Sequence, residues 1–373
     1  MKRIRRLKTS QKILVISVAA IVVASAVLLS TQLGAPRDSL NEAIEGGELT
    51  ITSVGRNHES LTWFIKNDNA QADQLLEAAR ASLDTAKAKF SSAALTDDDY
   101  VRNMVSNYRF LVDASDVMAT GVDNLLDASA NLTNALDYYS QQDYENAAKQ
   151  AVYCLNILEP LQTSFETSNS DLGNMSLAYI PSGQRDRLTQ GVNQYRSEMA
   201  VYNQIILLLR SMIEGKNYLQ MNAQLEESMR QLQDAIADQD YETAQSLLHD
   251  MADALQALRD QSYQAAADLS SQLNPDQLGG DTSDIARELQ NRLRDLEALD
   301  SFQNYLQSLE KYLEALELFN QGKLDEAEQA VNQGLTILGS GEGNDPELQG
   351  MYQGLANAFS SLRMRIKGQP DQG

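Results

Sequence analysis

Apolar positions recur along most of this chain at steps of four and three residues, which is the spacing of one buried face on an α-helix. Ala79, Leu83, Ala86 and Phe90 make a short run of this kind. A longer one follows Asp97, from Tyr100 and Met104 through Leu125 to Tyr139, with no proline before Pro160. After Pro181 the seam Leu188, Val192, Tyr195, Met199, Tyr202, Ile206, Leu209, Ile213 is strict, and Phe302, Tyr305, Leu309, Tyr312, Leu316, Phe319 repeats it. Such seams predict long helices packed side by side in coiled-coil fashion. Thr96-Asp97-Asp98-Asp99 has the form of a helix start, with acids at the positive end of the dipole. Asp345-Pro346 opens a last helix whose apolar face is Leu348, Met351, Leu355, Phe359 and Leu362.

Two stretches depart from that period. Ile13 to Leu33 is 21 residues without a charge, enough for a helix to span roughly 30 Å of hydrocarbon. Lys2, Arg3, Arg5, Arg6, Lys8 and Lys12 all precede it. The positive-inside rule therefore predicts a transmembrane signal anchor, with residues 1–12 cytoplasmic and the bulk of the chain extracytoplasmic at the cell membrane. A cleaved signal peptide is the competing reading, and it too sends the remainder outside. The second departure is Glu48–Val54 and Leu61–Lys66, rich in Thr, Ile, Val and aromatic residues around the polar stretch Gly55–Ser60. That pattern predicts a small β-hairpin at residues 48–66 within a juxtamembrane segment, 34–68, with Trp63 as its packing residue. A helical ectodomain over 69–367 and a disordered tail over 368–373 complete the expected organisation, so the expected class is all-α apart from that hairpin.

Three segments resemble one another: 138–160, 236–258 and 318–338. Tyr144, Tyr241 and Leu324 align, three residues ahead of Ala147, Ala244 and Ala327. Ala151, Leu248 and Val331 follow, then Cys154, Met251 and Gly334, then Leu158, Leu255 and Leu338. A small alanine lets two antiparallel helices approach, and a large residue one turn earlier wedges into the hairpin. The pattern resembles the turn and second helix of the tetratricopeptide repeat, carried in the first segment by Tyr138, Tyr139, Gln141, Asp143, Tyr144, Ala147 and Pro160. The family repeats about every 34 residues, whereas these alanines lie 97 and 83 apart and the family's Trp and Leu-Gly pair are missing. The resemblance implies related helical hairpins inside a longer bundle, and a groove for a protein or peptide.

Composition narrows the function classes. The net charge is −22, and six basic with no acidic residues in 1–36 leave −28 on the remainder. A surface that acidic repels nucleic acid, so nucleic-acid binding is excluded. The single cysteine, Cys154, forbids an intrachain disulfide and sits at a core spacing. Two histidines, His58 and His249, stand apart from any second His or Cys, so neither a zinc site nor a catalytic triad is supported. No residue set names a reaction, no cofactor or metal is expected, and the chain reads as a non-enzyme. Asn131 and Asn174 head glycosylation sequons, with Asn174 in the more loop-like setting. The leading expectation is a membrane-tethered extracytoplasmic scaffold that binds a protein or peptide partner, as in envelope assembly. The alternative is a ligand-sensing or solute-binding bundle, with Tyr195, Tyr202, Tyr218 and Tyr241 lining a cavity.

Overall fold

The computed structural model describes residues 39–259, 264–295, 299–340 and 346–368. Twelve α-helices account for nearly all of them: α1 Ser39–Ile65, α2 Asn69–Ala93, α3 Asp99–Ser140, α4 Tyr144–Leu158, α5 Gln162–Gly173, α6 Ser182–Ala237, α7 Tyr241–Leu258, α8 Gln264–Gln272, α9 Gly280–Asp295, α10 Leu299–Asn320, α11 Leu324–Ser340 and α12 Pro346–Gly368. The described part is all-α, with no strand among the described residues. No described helix is long and apolar enough to cross a membrane. The expected transmembrane helix at 13–33 lies outside the described residues, as do the basic tail 1–12 and residues 369–373.

The β-hairpin at 48–66 is overturned outright. Those residues belong to α1, an uninterrupted helix. Its buried positions Ala43, Gly47, Thr50, Val54, Asn57, Leu61 and Phe64 step by four and three, with Gly46, Ser53 and Ser60 beside them. The seam is helical but partly polar, so an apolar-only pattern misses it. Its hydroxyls are satisfied without a sheet ladder. Thr50, Thr52 and Thr62 donate to the carbonyls four residues back at 2.8–2.9 Å. Ser53 Oγ donates to Ala79 O on α2 and pairs with Ser115 Oγ on α3, both at 2.9 Å. Asn57 Nδ2 donates to Ser115 O at 2.9 Å, and Ser60 Oγ to Ala72 O at 2.6 Å. Gly46 and Gly47 let the rings of Phe90 and Tyr108 lie against the helix backbone, where any Cβ would collide. Trp63 is only half-buried, with Lys66 Nζ 4.8 Å above its ring.

Two apolar cores result. The first joins α1–α5, the N-terminal part of α6, and α8 and α9. The second joins α7, α10, α11 and α12 to the C-terminal part of α6, from Leu225 onward. Helix α6 has 56 residues and so runs about 84 Å, long enough to serve both. Between the cores, Leu258 and Leu293 form a small cluster with Tyr218, Met221 and Leu299.

Four helix–helix connections share one turn. Asn67, Gln142, Gln239 and Gly322 have φ of 59°, 63°, 58° and 78°. In each, the following N–H reaches back to a carbonyl five residues earlier: Asp68 to Trp63 at 3.0 Å, and Asp143 to Tyr138, Asp240 to Ala235 and Lys323 to Leu318 at 2.9 Å. This is the Schellman geometry, with its left-handed residue just past the helix end. Asp68, Asp143 and Asp240 then cap the next helix by accepting from the N–H three residues on. The alanine four residues beyond Asp68 (Ala72), Asp143 (Ala147), Asp240 (Ala244) and Lys323 (Ala327) is fully buried in all four. The α1–α2 hairpin is thus a fourth unit beside the three legible in the sequence. It carries exposed Asn69 where the others have Tyr144, Tyr241 and Leu324.

Candidate functional site

Each of the sequence-derived packing residues belongs to its own hairpin, and they do not converge on one site. Tyr144 is half-buried, edge-on to Tyr139 with centroids 5.2 Å apart, and the Arg292 guanidinium lies 5.7 Å from its ring. Tyr241 is half-buried and its hydroxyl accepts from Asn320 Nδ2 at 3.4 Å, tying α7 to the end of α10. Leu324 is half-buried against the second core. Asn174 is exposed at the C-terminal cap of α5, while Asn131 is half-buried in the C-terminal part of α3.

The tyrosines proposed as a cavity lining part company. Tyr195 and Tyr202 are wholly buried, and their hydroxyls donate to Phe165 O at 2.7 Å and Leu158 O at 3.1 Å. Both rings pack on Phe165 at 5.8 and 5.0 Å, and burial pushes the Tyr202 hydroxyl up to about 12. They hold α6 against α4 and α5 and leave no space for a ligand. Cys154 is buried, and desolvation pushes its thiol up to about 11, which makes it inert. No group of three or more His, Cys, Asp or Glu among the described residues is placed to hold a metal.

One buried acid escaped the sequence reading. Glu198 on α6 is 1% exposed, and neither carboxylate oxygen has a hydrogen-bond partner. Burial alone pushes its carboxyl well above the usual carboxylate range, because desolvation disfavours the charged form. Its seam position, between Tyr195 and Tyr202, gives no hint in sequence that an acid sits in the core.

The recessed surface lies where α6 passes from one core to the other. Over residues 217–231 only Leu225 is buried, so this stretch of helix is largely bare. On one flank is a cleft of about 460 Å³, lined by Tyr218, Met221, Leu225 and Met229 of α6 and closed by Leu258, Leu299, Phe302, Leu348 and Met351. Glu226 and Arg230 form part of its rim, one of each sign. On the other flank, between α6 and α7, is an open groove of about 480 Å³. Met221, Leu225, Met251 and Ala254 line it, with Glu227 on α6 and Asp250 on α7. Four of the chain's 11 methionines, Met221, Met229, Met251 and Met351, line these two recesses. Methionine's unbranched, polarisable side chain adapts to different surfaces, which suits a docking site. Arg230 donates to both oxygens of Glu227, at 2.6 and 2.7 Å, and this bond holds the Glu227 carboxyl below its ordinary range. The methionines stood in the sequence, but their convergence did not, because residues 221 and 351 are brought together only by the packing of α12. No family model matches the chain, and no curated protein or solved structure shows significant similarity to it.

Proposed function

We propose that this protein is a helical scaffold that binds a protein or peptide partner in the recesses flanking residues 217–231 of α6, on the outer side of a membrane. The observation that carries the reading is the bare stretch of α6 between two packed cores, with methionine-lined recesses on both flanks. A helix–helix groove with adaptable apolar side chains is the form in which helical bundles receive partner segments. The tetratricopeptide-like hairpins and the envelope-assembly setting belong to the same proposal. Its location rests on the sequence: the uncharged run 13–33 follows six basic residues, and the remainder is strongly acidic. No reaction is part of it.

Photo-crosslinking in membranes tests it, with a photoreactive amino acid at Asn222, exposed beside the first cleft, or at Gln224, exposed beside the α6–α7 groove, and at exposed Thr85 on α2 as control. A reproducible adduct from 222 or 224 but not from 85 is expected. Equal labelling from all three positions, or none, overturns the proposal. A solute-binding reading is favoured by one observation, the size of the first cleft, which falls within the range of small-molecule sites. Its polar groups Asn222, Glu226, Arg230 and Gln233 are all solvent-exposed on one helix and do not enclose a ligand, so the scaffold reading is preferred; a metabolite that raises Tm and protects Met221 and Met351 from oxidation would reverse that order.

A further inference from the structure

We infer that the partner segment is a basic amphipathic helix, and that it seats in the groove between α6 and α7. This rests on the scaffold reading above and adds to it the chemistry of the partner and the choice of groove. Apolar depth does not separate the two recesses, since both share Met221 and Leu225. Charge does. The cleft facing α10 and α12 has Glu226 and Arg230 on its rim, which balance. The α6–α7 groove has Glu227 and Asp250 from opposite walls, and Arg230, the ion-pair partner of Glu227, offsets one of the two and leaves a net negative charge.

The acidity continues along the hairpin that forms the groove. Residues 217–258 hold eight acids (Glu226, Glu227, Asp234, Asp238, Asp240, Glu242, Asp250 and Asp253) against one arginine, Arg230, no lysine, and one histidine, His249, which faces Asp253 at 3.6 Å. The arginine is already bound to Glu227 and lies in the field of Asp234. An incoming lysine or arginine therefore meets an excess of carboxylates on both walls, whereas an acidic segment meets repulsion.

Shape favours a helix over an extended strand. The walls are two antiparallel helices with paired backbones, so no sheet edge is offered for strand addition. Met221, Leu225 and Met251 form an apolar floor, and Ala254 leaves room at one wall. A third helix lying along them presents apolar residues at helical spacing to that floor and its cations to Glu227 and Asp250. It would cover part of the stretch of α6 that neither core covers.

The test uses the full-length chain in detergent and two synthetic 18-residue amphipathic helices of identical leucine face, one with lysine and one with glutamate on the polar face. Fluorescence anisotropy reads the affinity. The lysine helix is expected to bind, and the glutamate helix to bind at least tenfold more weakly. The double charge reversal Glu227→Lys with Asp250→Lys is expected to weaken the lysine helix by at least tenfold without lowering Tm, both positions being exposed. The same reversal at Asp84 and Asp127, exposed on the first core, is expected to change its Kd by less than twofold. Equal affinity for the two helices overturns the inference, as does an equal loss from both double reversals, which would mean attraction to acidic surface in general. If photo-crosslinks form at 222 or 224 while the lysine helix does not bind, the scaffold reading stands and this inference fails. If neither occurs, both fail.

Discussion

The two cores use different chemistry to hold their helices in place. The first has polar groups at its centre: Thr50, Ser53, Asn57, Ser60, Ser115, Gln184 and Glu198 are all buried there. Ion pairs cross its helices on the outside, with Lys89–Glu45 joining α2 to α1 at 2.5 Å and Lys87–Asp116 and Arg80–Asp123 joining α2 to α3 at 2.6 Å. Arg187–Glu48 does the same for α6 and α1. In the second core Ser308 is the one buried polar side chain among the described residues, donating to Gly334 O at 2.8 Å. Aromatic packing fills that core, with Tyr312 edge-on to Phe359 at 5.3 Å and Tyr305 against Tyr352 at 5.9 Å. Directional polar contacts fix one register of α1 against α2 and α3. Apolar packing is less directional, and that suits a half of the molecule whose edge is proposed to receive a partner.

The largest effect that would break this comparison comes from Phe359→Ala. Phe359 is fully buried and its ring lies against Gly334. Truncation is expected to cost about 3–5 kcal/mol and to accelerate amide exchange in α10–α12 while α1–α3 stay protected. Equal loss of protection in both halves would show a single cooperative unit instead.

Replacing Glu198 by methionine gives a smaller and pH-dependent effect. Because burial raises its folded pKa above the unfolded one, the folded state keeps a proton that the unfolded state releases. Stability from this position is intact below the ordinary carboxyl range and is lost as pH climbs towards the folded value. Glu198→Met is expected to raise Tm at about pH 8 and to do so much less at about pH 4.5. A gain independent of pH would mean that the carboxyl is not buried alone. His58 acts with the opposite sign, since burial lowers its pKa and its contribution is lost as pH falls below the ordinary imidazole range.

The smallest effect tests whether two turns of the second half, one with glycine and one without, are equivalent. Gln239 holds φ of 58° in the α6–α7 turn, where Gly322 holds 78° in the α10–α11 turn. Gln239→Gly is expected to stabilise by about 0.5–1 kcal/mol in urea unfolding, because glycine adopts that backbone without the Cβ clash. Destabilisation would mean that the turns are not equivalent.

Helix content, the long uninterrupted helices and three of the four hairpins were legible in sequence, because seams such as Leu188–Ile213 are apolar and their period is unambiguous. Helix α1 was not, since its seam is built of Gly47, Thr50 and Asn57 among its apolar residues. β-branched residues around a Gly-containing polar stretch read locally as strand and turn. Only the hydroxyl and amide partners on α2 and α3, 12 to 62 residues away, make helix the better conformation. The hairpin turn after α1 was hidden for a related reason, with exposed Asn69 standing where the other units carry a large apolar residue.

The candidate site was the least legible part. By itself the sequence determined the class, the acidity and the spacing of buried alanines, because these depend on local period and on charge, which add up along a chain. Tertiary structure decided that α6 stays uncovered between two cores, that Met251 and Met351 come to lie beside its Met221 and Met229, and that one recess is balanced in charge while the other is acidic. Those are properties of which helices lie next to which. That choice is made by burial between residues far apart in the chain, so no local pattern records it.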